Sequence, residues 1–122
     1  MIDHVTVGVG NIARSRAFYD RTLTVIGIER LASNGDAFAG YGAGKRAFFW
    51  IGLRTDPITG AHVAFAVSDR AAVDRFHAAG LAAGGRDNGK PGLRVQYHPD
   101  YYGAFILDPD GHNIEAVCRT VG

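Results

Sequence analysis

Two histidines and one glutamate are the residues of this chain whose types and placement could do chemistry. His4 opens the stretch "HVTVGVGNIARSRAF", and His62 opens "HVAFAVSDRAAVDRF". A shift of 58 residues lays one on the other, so that His4 falls on His62, Val5 on Val63, Val7 on Phe65, Val9 on Val67, Asn11 on Asp69 and Phe18 on Phe76. Both stretches begin with the two-residue alternation of a strand, whose side chains face opposite sides of a sheet. His4, Thr6 and Gly8 share one face, as do His62, Ala64 and Ala66. The bulky residues occupy the other face, which is expected to pack on a helix. Small residues beside each imidazole leave room for a cavity.

Glu115 lies in "HNIEAVCR". Alternation puts Ile114, Ala116 and Cys118 on an apolar face and Asn113, Glu115 and Val117 on the other. A carboxylate among apolar neighbours is costly unless a cation, hydrogen bonds or water meet it. If the histidine faces and the Glu115 face look into one space, a divalent metal supplies that cation. Two imidazoles and one carboxylate leave coordination positions open, which suits catalysis more than structure. A lone strand histidine, or a solvent-facing Glu115, would need no metal. The repeated placement of His4 and His62 is what points to a site.

These residues need elements to hold them. Each opening strand is followed by a helix N-cap signal, Asn11 in one copy and Ser68 or Asp69 in the other. Helical spacing follows, through Ile12, Tyr19 and Leu23 in the first copy and Ala72, Val73, Phe76 and Leu81 in the second. "GIERLAS", "DAFAGYG" and "KRAFFWIGL" then read as three short strands, as do "GLRVQYH", "YYGAFILD" and "HNIEAVCR". "DPDG" before the last strand is a turn signal, because Pro presets φ and Gly accepts positive φ. The polar "GGRDNGKPG" (Gly84 to Gly92) is expected to be a mobile loop. Each half is therefore βαβββ, an α+β arrangement. We expect a single domain over 1–122, with module one at about 1–55 and module two at about 60–122. Modules of about 60 residues are marginal alone, so a shared core is expected.

The bulk composition removes other classes. The 122 residues include 47% hydrophobic ones, with 13 Lys and Arg against 12 Asp and Glu. No basic stripe suits a phosphate backbone, so no nucleic-acid partner is expected. No apolar run approaches the roughly 20 residues that span a bilayer, so no membrane is expected either. "MIDHV" has no secretory pattern, and a cytoplasmic protein is expected. Cys118 is the only cysteine and cannot form an internal disulfide. It falls on the helix-packing face, where burial would make it inert.

Other residues stand near the expected site. "YHPDYYG" places His98, Tyr101 and Tyr102 just before a strand, either as a rim supplying hydrogen bonds and general acid–base groups or as a tyrosine-rich turn. Of Phe48, Phe49 and Trp50, at most two can face a pocket. His77 reads as a surface or interface residue. His112 differs in strand parity from Glu115 and is not taken as a ligand.

The paired βαβββ modules led by histidines, "FY" at Phe18-Tyr19 and the closing "DPDGHNIEAV" resemble the vicinal oxygen chelate superfamily over nearly the whole chain. That superfamily includes glyoxalase I, extradiol dioxygenases, and fosfomycin and bleomycin resistance proteins. The resemblance implies the glyoxalase/bleomycin resistance/dihydroxybiphenyl dioxygenase fold, with two modules forming an incomplete barrel around one cavity, and a homodimer. It implies His4, His62 and Glu115 as ligands of a divalent metal (Fe, Mn, Ni or Zn) that chelates adjacent oxygens of a small-molecule substrate, with lyase, isomerase or dioxygenase chemistry. Tyr101, Tyr102 and His98 would join Glu115 as catalytic groups. The alternative is a non-catalytic protein that sequesters a small molecule, of bleomycin-resistance type. Glyoxalase I also uses a Glu or Gln on the fourth strand of module one. Phe48, Phe49 and Trp50 stand there, and none can be a ligand.

Overall fold

The computed structural model describes residues 1–122 except Pro57 and Thr59. The order is β1 (Val5–Val9), α1 (Ile12–Thr24), β2 (Glu29–Asn34), β3 (Phe38–Ala43), β4 (Arg46–Leu53), β5 (His62–Ala66), α2 (Arg70–Ala82), β6 (Arg86–Leu93), β7 (Tyr102–Leu107) and β8 (Asn113–Cys118). Each half is βαβββ. The strands form two open four-stranded mixed sheets, ordered β1-β4-β3-β2 and β5-β8-β7-β6. β1 runs parallel to β4 and β5 parallel to β8, while the remaining pairs are antiparallel. The leading strand of each module therefore sits at a sheet edge beside the module's last strand. In module two this lays His62 opposite Asn113 and Ala64 opposite Glu115.

Asn11 and Asp69 cap the two helices, accepting from the Arg14 and Ala72 amides. The bulky faces meet the helices. Val7, Val9, Phe18, Tyr19, Phe49, Phe65, Phe76, Ile106 and Ile114 belong to one buried cluster drawn from both modules. Phe49 of β4 meets Phe65 of β5 edge to face, with ring centres 5.3 Å apart. Cys118 is buried on this face.

A polar clasp also joins the modules, built from the "DPDG" turn. Asp108 is buried and accepts from the amides of Asp110 (2.9 Å) and His112 (2.8 Å) and from the Tyr19 hydroxyl (2.5 Å). Burial, then the Asp108 charge, pushes the Tyr19 phenol well above its ordinary pKa, so it stays a donor. Asp110 accepts from the Gly10 amide and from Arg14 at the start of α1. His112 accepts from the Ala61 amide at Nδ1 and so donates from Nε2 to the Gly8 carbonyl, at 2.7 Å. It is a structural bridge, not a ligand.

Two expectations are corrected here. "GGRDNGKPG" is not a loop, because Arg86–Leu93 forms β6, and the expected strand "GLRVQYH" instead turns from Arg94 onward. β6 is an edge strand with two register breaks, which is where a sheet tolerates Pro91 and its glycines. Arg94 secures the turn by donating to the carbonyls of Lys90, Gly92 and Gly103. His77 is not a surface residue. It is buried on α2 and bonded to Asp87 of β6 at 2.8 Å.

Candidate functional site

Glu115 occupies the middle of β8, on the sheet face turned away from α2. Register places Ala64 on one side of it and Phe105 on the other. The residue is 1% exposed, yet both carboxylate oxygens have partners. Oε1 meets His62 Nε2 at 2.8 Å, and Oε2 accepts from the Tyr101 hydroxyl. A carboxylate only accepts, so His62 carries its proton on Nε2. Its Nδ1 has no hydrogen-bond partner among the described residues. The His62 side chain is 54% exposed, so the buried carboxylate orients an imidazole that reaches solvent.

Tyr101 precedes β7 and is held in place by neighbours that sequence reasoning missed. Tyr97 packs edge to face on its ring at 5.1 Å, and the Arg119 guanidinium lies 5.0 Å from its centre. Gly103 matters by what it lacks. A Cβ there would lie 3.1 Å from the Tyr101 ring and 3.4 Å from Glu115 Oε2. Phe105 flanks His62 with ring centres 5.9 Å apart. The parity of β7 was the available signal for Gly103 and Phe105, whereas nothing local marked Arg119.

Burial, followed by the hydrogen bond to Glu115, pushes the Tyr101 phenol from 10.0 up to about 12. The folded protein thus holds this proton more tightly than the unfolded chain. Stability from this group is full below pH 10 and is lost as pH rises from 10 toward 12. Urea unfolding across that range is expected to show falling stability, with a shallower fall in Tyr101→Phe. An equally steep fall in the variant would contradict the assignment.

The other expected residues lie at different places. His4 precedes β1 and is 57% exposed, with Nδ1 2.8 Å from Asp3 Oδ1. Asp3 is also paired with Arg46. His4 and His62 nevertheless border the same cleft, of about 660 Å³, between the leading ends of β1 and β5. Ile2, Ile26, Ile28 and Phe48 form apolar parts of its wall. Among the described residues, no three His, Cys, Asp or Glu side chains are gathered as a metal-holding group. His98 accepts from the Asp100 amide at Nδ1 within its turn. Tyr102 is not brought to Glu115: its hydroxyl donates to Asp74 of α2 at 2.6 Å. It pairs with Cys118 in the ladder, so parity puts it on the helix side of the sheet. Phe48 lines the cleft, Phe49 is core, and Trp50 lines a separate groove.

The family model for the Glyoxalase/Bleomycin resistance protein/Dioxygenase superfamily matches residues 1–116. The chain belongs to this superfamily. A glyoxalase/bleomycin resistance protein from Albidiferax ferrireducens T118 is 34% identical in sequence, with a TM-score of 0.84, covering 98% of this chain and 99% of that one. A glyoxalase/bleomycin resistance protein/dioxygenase family enzyme from Burkholderia phytofirmans PsJN is 21% identical, with a TM-score of 0.71 and coverage of 97% and 98%. Lactoylglutathione lyase from Agrobacterium tumefaciens is 17% identical, with a TM-score of 0.71 and coverage of 97% and 92%. The last two likenesses concern the fold alone. No curated protein matches the chain. Among the described residues, no helix of this glyoxalase-superfamily chain is long and apolar enough to cross a membrane.

Proposed function

We propose that this protein is a small metal-dependent enzyme acting on a small organic molecule with two adjacent oxygens. His62 and Glu115 would hold the ion, and His4 would complete the set from the opposite rim. The observation that carries this reading is the buried Glu115 carboxylate, whose only ion-pair partner among the described residues is His62. A buried carboxylate 2.8 Å from an imidazole is a donor pair whose charge a divalent cation would neutralise. The donors fit the group.

A divalent ion held there would supply Lewis acidity to the vicinal oxygens of a substrate. The chain's own residues do the rest. Tyr101 holds Oε2 of Glu115, while Oε1 faces His62. His4 must leave Asp3 to join them, and an exposed pair of this kind is worth only about 0–1 kcal/mol. Ala64 and Ala66 leave space beside His62, and Phe48 gives the cleft part of its apolar wall. We further take the protein to act as a cytoplasmic homodimer.

The test is metal content after purification without a histidine tag. The expected result is near-stoichiometric metal, or its recovery on adding Fe(II), Mn(II), Ni(II) or Zn(II). Protein that stays substoichiometric after all four would overturn the enzyme reading. The sequestering alternative, which the apolar cleft wall favours, would then stand. With metal bound, a screen of hemithioacetals, catechols and fosfomycin separates the reaction classes.

A further inference from the structure

Glu115 has two carboxylate oxygens, and the fold gives each a different neighbour. β7 and β8 pair with Phe105 opposite Glu115, Gly103 opposite Val117 and Tyr102 opposite Cys118. One step further along the same register sets Tyr101 opposite Arg119. Alternation then places 101, 103 and 105 on the face that carries 115, 117 and 119. The Tyr101 phenol crosses over Gly103 to reach Oε2 of Glu115. A Cβ at Gly103 would lie 3.1 Å from the Tyr101 ring and 3.4 Å from Oε2, so the glycine clears the way.

Two further contacts brace the phenol in that position. The Arg119 guanidinium lies 5.0 Å from the ring centre, and Tyr97 packs edge to face on the ring at 5.1 Å. Oε2 therefore has a donor on a ring held from two sides. Oε1 has a different partner, His62 Nε2 at 2.8 Å, on a side chain that is more than half exposed. The oxygens are thus unequal. Oε1 is bonded to a group that is itself a metal donor, and Oε2 to a group fixed by the packing of the chain.

This inequality matters because ions differ in the donors they suit. Imidazole nitrogen suits Zn(II), whereas carboxylate oxygen suits Mn(II). A carboxylate that offers both oxygens to one ion therefore favours Mn(II). We propose that Tyr101 sets the metal preference of the site: its hydroxyl occupies Oε2, restricts Glu115 to coordination through Oε1, and so favours Zn(II) over Mn(II). The inference rests on the metal-dependent reading given above. Arg119 acts only through the Tyr101 ring and is a positioning residue.

The probes are Zn(II) and Mn(II), titrated calorimetrically into chelator-treated protein. Removing the partner of a metal ligand commonly lowers metal affinity about 10- to 100-fold. In Tyr101→Phe, Zn(II) affinity is expected to fall in that way, while Mn(II) affinity holds or rises because the freed oxygen joins the ion. The ratio of Zn(II) to Mn(II) affinity therefore falls about 10-fold or more. The infrared separation of the two carboxylate stretches, wide for one-oxygen and narrow for two-oxygen coordination, is expected to narrow in the Mn(II)-loaded variant. Arg119→Gln, at an exposed position, keeps the hydroxyl and loosens the ring, so a smaller fall in the same ratio is expected. It gives the same test where Tyr101→Phe does not fold. A merely structural role for Tyr101 would weaken both ions alike. An unchanged ratio in the folded variant, or a carboxylate separation that does not narrow, would overturn the proposal and leave the enzyme reading standing. Failure of the unsubstituted protein and both variants to bind either ion would sink the enzyme reading, and this inference with it.

Discussion

Asp108→Ala is expected to lower stability by about 3–5 kcal/mol, the cost of breaking a buried, fully bonded carboxylate cluster. Asp108 is 2% exposed and serves three donors, the amides of Asp110 and His112 and the hydroxyl of Tyr19. Alanine leaves these donors in a space that water reaches poorly, and each orphaned group costs about 1–3 kcal/mol. The loss spreads, because the same turn positions Asp110 on Arg14 and His112 on the Gly8 carbonyl. Domains of this kind have only about 5–15 kcal/mol in total, so the variant should be marginal. Tyr19→Phe removes one donor and should cost less. The double variant should cost less than the sum of the two, because both remove the same bond. Urea unfolding measures all three. A loss under about 1 kcal/mol for Asp108→Ala would show that the clasp does not join the modules.

Glu115→Gln is expected to weaken metal binding about 150- to 4000-fold, the equivalent of the roughly 3–5 kcal/mol attached to removing one buried charge from a pair. The amide keeps the shape of the side chain but not its charge. Its oxygen can still accept from Tyr101 or from His62, but its nitrogen then faces the remaining donor. His62→Ala should weaken metal binding comparably by removing the imidazole 2.8 Å away. Tyr102→Phe should leave it unchanged, since that hydroxyl belongs to Asp74 on the helix side. Isothermal titration of chelator-treated protein with Zn(II) and Mn(II) gives the affinities. Unchanged affinity in Glu115→Gln, with the fold intact, would remove Glu115 from the site.

One pairing of the expected site was legible in the linear chain. Strand alternation put His62 and Glu115 on one kind of face, and the structure joins them by a hydrogen bond. Which tyrosine meets Glu115 was not legible, because the pairing of β7 with β8 sets Phe105 opposite Glu115 and Tyr102 opposite Cys118, on the helix side. That pairing is a tertiary fact, and "YYG" alone does not reveal which tyrosine turns inward. β6 escaped notice for a similar reason. A glycine- and proline-rich edge strand has little local preference, and its neighbour β7 supplies the ladder that defines it. His77 and His112 also looked ordinary in sequence. Each became a buried hydrogen-bonding group only when another element arrived, Asp87 for one and the Gly8 carbonyl for the other.

The sequence by itself determined the two βαβββ units, their helix caps, the "DPDG" turn and the strand faces carrying His62 and Glu115. These rest on the two-residue and 3.6-residue periods and on turn chemistry, all of which act over a few neighbouring positions. Only the tertiary structure decided that Tyr101 closes over Glu115, that Arg119 backs Tyr101, that His4 turns to Asp3, and that the turn after β7 clasps the two modules. Those outcomes depend on groups tens of residues apart meeting at hydrogen-bond distance. No local periodicity encodes such a meeting, because the docking of one module on the other sets it.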